Sequence, residues 1–209
     1  MTNHTIINNL ATVSGIIIPD FRKCPGNYSQ SFYLMDLAVQ RLSGQTDLIP
    51  TAVPEKLLHE MQLHAGRGIW ITGRFTSYNH HDMDGSHLAL SLLMDDYIFL
   101  GDNARNENAI FLDGYTARKP TLRTTPLGCT ITDLTVAVNY PFSDSDYLPC
   151  ICWNRTALEA SLFPCGTHIY AWGRIQSREY LKKLNGQETV TKTAYEISIW
   201  KILRNYDIS

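Results

Sequence analysis

The sequence is short of charge and of long apolar runs, and each shortage removes a class of function. Charged residues make up 18% of the 209, and the formal net charge is −2. No general basic field exists to gather nucleic acid. A nucleic-acid partner would need a local basic surface combined with stacking aromatics. No stretch is long and apolar enough to span a bilayer, so no membrane association is expected. The opening residues, MTNHTIINNLATVSGIIIP, lack a basic n-region and a small-residue cleavage site, so no signal peptide is expected. The five cysteines (Cys24, Cys129, Cys150, Cys152, Cys165) are odd in number and show no framework spacing. Reduced thiols in a cytoplasmic protein are the simplest expectation. A Gly-rich phosphate loop is missing, and spacing assembles no set of nucleophile, base and orienting group. Neither an enzyme nor a bound cofactor is expected.

What is present is a repeat. Residues 66–77 read GRGIWITGRFTS and residues 166–177 read GTHIYAWGRIQS. Gly66, Ile69, Gly73, Arg74 and Ser77 recur at Gly166, Ile169, Gly173, Arg174 and Ser177. Asp47 and Pro50 recur one residue closer, at Asp146 and Pro149, as do Ala38 and Val39 at Ala137 and Val138, and Gly15 at Gly114. Matches that keep their order while the offset changes only at loops predict a duplicated domain. The polar stretch GDNARNEN, 101–108, marks the boundary, giving units 1–104 and 105–209.

The second unit is rich in β-formers and alternates over 108–115 and 130–140, and 146–153 is a third strand candidate. A helical stretch, 154–164, follows. Two more strands, 167–180 and 188–202, flank an Asn-Gly turn. Three strands, a helix and two strands is the order of a five-stranded Greek-key OB barrel. The expected fold is therefore all-β: two tandem OB-fold barrels, each with one short helix between strands three and four. Within 169–176, Ile169, Ala171, Gly173 and Ile175 should face the interior. Tyr170, Trp172, Arg174 and Gln176 should face outward, onto a surface that needs a partner.

The second unit resembles the bacterial single-stranded-DNA-binding protein (SSB) family. The likeness rests on GYTARKPTLRTTPLG (Gly114, Pro120, Arg123, Thr125, Pro126, Gly128), then Leu134, Ala137 and Val138, then CICWNRTALE (150–159) and WGRIQSREY (172–180). The whole chain resembles the tandem two-barrel homologues of Gram-positive anaerobes. The resemblance implies sequence-tolerant binding of single-stranded DNA in replication, recombination or repair, through base stacking and backbone electrostatics. It assigns stacking to Tyr147, Trp153 and Tyr180, with Phe142 a fourth. It assigns backbone contacts to Arg123, Arg174 and Arg178. Arg118, Lys119, Arg155, Lys182 and Lys183 add charge nearby. It also implies a homodimer presenting four barrels, with Tyr170 and Trp172 at a subunit interface. Two simpler roles compete: Trp153 as a core residue, and Arg123 in a structural ion pair.

The first unit departs from the family pattern. The positions of Tyr147, Trp153 and Tyr180 are Leu48, Pro54 and His80 there. Residues 1–105 hold 7 Lys and Arg against 10 Asp and Glu, net −3, whereas the remainder is net +1. The second unit is expected to dominate binding, with Trp70, Arg74, Phe75 and Tyr78 a weaker site. The chain ends soon after its last strand, so an acidic tail for recruiting replication proteins is not expected. RNA stays open as a partner, because stacking tolerates either sugar. A primosome-type accessory protein, or an assembly protein with little DNA binding, are the alternatives. The segment HHDMDGSH (80–87) reads as a solvated hairpin tip, and Cys150-x-Cys152 as packing, so no metal site is assigned.

Overall fold

The computed structural model describes residues 7–24, 31–82, 85–101, 106–141, 144–184 and 188–205, with backbone alone at 79–82, 85–87, 182–184 and 188. The first half contributes β1 (Asn9–Ile17), β2 (Arg22–Lys23), β3 (Phe32–Gln40) and β4 (Thr46–Pro54). A turn of 3-10 helix (Glu55–Leu57) and α1 (Leu58–Leu63) follow, then β5 (Gly68–Asp82) and β6 (Gly85–Phe99). The second half repeats the order with β7 (Asn108–Thr116), β8 (Thr121–Thr124), β9 (Thr130–Val138), β10 (Asp146–Trp153), α2 (Asn154–Ser161), β11 (His168–Leu184) and β12 (Glu188–Arg204).

Each half closes on itself. In the first, β1 pairs with both β3 and β5, β3 with β4, β4 runs parallel to β6, and β6 pairs with β5. In the second, β7, β9, β10, β12 and β11 close in the same circuit, with β10 and β12 parallel. This is the connectivity of the OB barrel, twice. The barrels join where β1 pairs antiparallel with β7, from Asn9↔Leu112 to Val13↔Asn108. A continuous six-stranded face, β6-β5-β1-β7-β11-β12, results.

The repeated residues explain how the strands bend into barrels. A Cβ on Gly15 would meet the Ala38 carbonyl oxygen at 2.6 Å, and one on Gly114 would meet that of Ala137 at 2.5 Å. These glycines permit the close crossing at each barrel seam. Gly73 and Gly173 sit where β5 and β11 slip register against β6 and β12, and a Cβ there would meet a carbonyl oxygen at 2.0 and 2.7 Å. Asn9 and Asn108 secure the strand just beyond each slip. Asn9 exchanges two hydrogen bonds with the Phe75 backbone, at 2.9 and 3.2 Å, and Asn108 does the same with Ile175, at 2.7 and 2.9 Å.

Three readings change. The strands β2 and β8 lacked a periodic signal, being two and four residues long with exposed side chains. Phe75 is fully buried, on the interior face with Ile69 and Ile71, so it is a core residue and cannot stack on a base. Gln176 is also buried, not outward, with its amide donating to Glu196 Oε1 at 2.8 Å. Ile169, Ala171 and Ile175 are buried as expected. Cys150 and Cys152 are core residues too. Burial pushes both thiols up, Cys152 to about 12, so they remain protonated packing groups.

Candidate nucleic-acid interface

The two barrels hold each other through a reciprocal pair of aspartates. Asp47, in the first barrel, accepts from Ser177 N at 2.7 Å and Ser177 Oγ at 2.8 Å in the second. Asp146, in the second, accepts from Ser77 N at 2.6 Å in the first. Each aspartate has a local partner as well. Arg41 donates to Asp47 at 2.7 and 2.6 Å, and Tyr140 Oη donates to Asp146 at 2.7 Å. Burial works against the Asp47 carboxylate, but the Arg41 and Ser177 donors outweigh it and hold its pKa below the ordinary value. Burial and the Asp146 carboxylate push the Tyr140 phenol well up.

These contacts shape two grooves related by the repeat, each built from both barrels. One, about 670 Å³, is lined by Trp153, Arg123, Arg174, Ser177 and Arg178 of the second barrel and Arg41, Gln45 and Thr46 of the first. The other, about 900 Å³, is lined by Arg74, Ser77 and Tyr78 of the first barrel and Tyr140, Asp146 and Tyr147 of the second. A third large cleft, about 890 Å³, joins Arg22 and Tyr78 to Arg118, Arg123, Arg178 and Tyr180.

The expected stacking residues are exposed: Tyr147 at 49%, Trp153 at 37% and Tyr180 at 38%. Core packing is therefore excluded for Trp153. At its position β10 ends, and Asn154 turns the chain into α2 with a φ of 51°, a left-handed conformation that asparagine tolerates. Tyr147 does not join Trp153. It lines the groove that also holds Arg74 and Tyr78. The guanidinium of Arg74 lies over the Tyr140 ring at 5.3 Å.

The arginines divide into engaged and available. Arg123 makes a bidentate ion pair with Asp133 at the groove wall, the structural role considered for it. Arg178 lies 3.9 Å from Glu196 and 5.9 Å from the Tyr180 ring centroid. Arg174 is half-buried, and among the described residues no side chain pairs with it. Arg118 is exposed in the large cleft. Arg155 points into solvent from α2, tied to Glu159 at 3.0 Å, and lines none of these grooves. Phe142 lies outside the described residues, as do the side chains of Lys182, Lys183 and the histidines of HHDMDGSH.

Tyr170 and Trp172 lie on the six-stranded face. Phe111 stacks on Tyr170 at 6.3 Å and leans on Trp172 at 5.2 Å, and Lys201 sits 4.8 Å over the Trp172 ring. Trp70 lies on this face too, its indole donating to Glu107 at 2.8 Å, and not in a groove. The sequence reading missed Arg41, Tyr140 and Trp200. Trp200 is 54% exposed on β12 and adjoins Trp153 in a further hollow. Arg41 and Tyr140 are repeat-related positions, and that relation was the available signal.

Two closed OB barrels carrying exposed aromatics and arginines in shared grooves define a protein of the oligomer-binding barrel class. Comparison narrows the class. Residues 107–203 match the single-strand binding protein family. The chain is 35% identical over 81 residues to single-stranded DNA-binding protein B of Bacillus subtilis, covering 71% of that protein and 35% of this one. It is 33% identical over 97 residues to the single-stranded DNA-binding protein of Oceanobacillus iheyensis, covering 43% of this chain and 58% of that one. The chain thus spans little more than half of the Oceanobacillus relative. Its fold is similar to the single-stranded DNA binding protein of Thermus aquaticus, with a TM-score of 0.68 at 18% identity, over 94% of this chain and 92% of that one. The chain belongs to the single-strand binding protein family.

Proposed function

We propose that this protein binds single-stranded DNA with little sequence preference, by stacking bases on exposed aromatics and neutralising phosphates with groove arginines. The activity is binding, not catalysis. The observation that carries it is Trp153, exposed at the rim of a groove beside Arg174, which no described side chain pairs with. A π-face stacks on any base, and a guanidinium donates to any phosphate. Arg118, Arg123, Arg178 and Tyr180 extend the path through the cleft that Tyr78 also lines, and Tyr147 through the groove with Arg74 and Tyr78. We place the boundary between the barrels at 104/105, on the strength of the repeated strand order on either side.

The test is tryptophan fluorescence titrated with oligo-dT at two salt concentrations. Quenching that weakens with salt, with a slope of about −0.7 per phosphate neutralised, supports the reading. Trp153→Ala should weaken binding by about 5- to 150-fold, the equivalent of about 1–3 kcal/mol for one lost stack. A folded wild-type protein that shows no quenching at low salt would overturn it.

The same proposal includes a homodimer through the six-stranded face. Leu10 (39% exposed), Ile16 (50%), Ile98 (58%) and Tyr115 (40%) join Trp70, Phe111, Tyr170 and Trp172 there. A second copy would cover this apolar surface and bring four barrels together.

A further inference from the structure

Trp200 owes its exposure to the slip in register between β11 and β12. Trp172 pairs with Lys201 and Gly173 with Ile199, so Trp200 is left without a partner and turns out of the barrel wall. Such an inserted residue re-aims its side chain. The hollow that receives it, about 580 Å³, is also lined by Trp153, Arg174 and Arg41. Those three residues line the second-barrel groove as well, so the hollow continues that groove toward α2.

The first barrel has the same slip with different side chains around it. There Thr72 pairs with Asp96 and Gly73 with Met94, leaving Asp95 at the position of Trp200. Pro54 stands at the position of Trp153. The Asp95 carboxylate also feels the charge of Arg74, the counterpart of Arg174. A phosphate approaching Arg74 there meets the Asp95 carboxylate, whereas Arg174 has no carboxylate paired with it among the described residues, and Glu107, the carboxylate that lines its hollow, accepts from the Trp70 indole at 2.8 Å.

We propose that Trp153 and Trp200 bound a nucleobase subsite found in the second barrel alone, with Arg174 carrying the adjoining phosphate. This rests on the single-stranded DNA reading above. It goes beyond it in giving Trp200 a stacking role and in leading the strand off the barrel groove toward α2.

The experiment compares wild type, W200A and W200Y in binding to oligo-dT, with circular dichroism and sedimentation on each. Trp200 is half-exposed, so the variants should fold. The expected result is an affinity about 5- to 150-fold weaker for W200A, largely restored in W200Y, with less of the fluorescence quenched in both. Wild-type binding with unchanged affinity in W200A would overturn the subsite and leave the general reading intact. An altered sedimentation coefficient with unchanged affinity would do the same, and would assign Trp200 to protein contact. Wild type that fails to bind would overturn both.

Discussion

Asp47 is fully buried as a carboxylate and accepts four hydrogen bonds, two from Arg41 on its own barrel and two from Ser177 on the other. Replacing it with asparagine removes the carboxylate that Arg41 pairs with at 2.6 Å, at a cost of about 3 kcal/mol. The sign of the pH dependence follows from its lowered pKa. Its contribution is complete above the unfolded-state value, about 3.9, and is lost as pH falls through the folded-state value. Urea melts should therefore separate wild type from Asp47→Asn widely at pH 7 and much less in acid below pH 3. The same residue shows what a sequence can and cannot tell. Its recurrence at Asp146 marked the duplication, but recurrence does not reveal that each aspartate reaches across to the opposite barrel. The repeat makes Phe75 and Trp70 legible. Phe75 stands 100 residues before Ile175, a buried interior position, and Trp70 stands 100 before Tyr170, a position on the outward face. Carrying the repeat through those two residues would have placed both.

The long strands and α2 were legible because each buries one face, which forces alternation or helical spacing onto the sequence. In the second half every main strand falls within four residues of its expected ends. The short strands β2 and β8 bury nothing, so no pattern betrays them. The slip in register was also hidden, because glycine signals a bend without saying which partner residue is expelled. Gly173 is required there: a methyl group would strike the Ser198 carbonyl oxygen at 2.7 Å and Ile197 at 2.8 Å. Gly173→Ala should lower stability by about 1–3 kcal/mol in chemical unfolding. Gly101→Ala, with open space around it, should change stability by less than about 0.5 kcal/mol.

The arrangement of the two barrels lay furthest from the sequence. Pairing of β1 with β7 builds both the shared grooves and the six-stranded face, and no local pattern encodes which strands of two similar units will meet. If that face is the dimer contact, Phe111→Glu should turn a dimer into a monomer in sedimentation equilibrium while keeping oligo-dT binding. Phe111 lies at the centre of the face, against Tyr170 and Trp172, and away from the grooves. The join between β1 and β7 has one more effect. Two separate identical subunits would meet across a two-fold axis, and every change in one would appear in the other. Here the counterparts sit on one chain and have drifted apart, with Trp153 facing Pro54 in the repeat, Trp200 facing Asp95, and Tyr140 facing Arg41. A nucleic-acid strand runs 5′ to 3′, and a symmetric pair of sites cannot tell one direction from the other. Within one chain the two grooves are unlike, so a strand bound as proposed meets a different set of side chains in each.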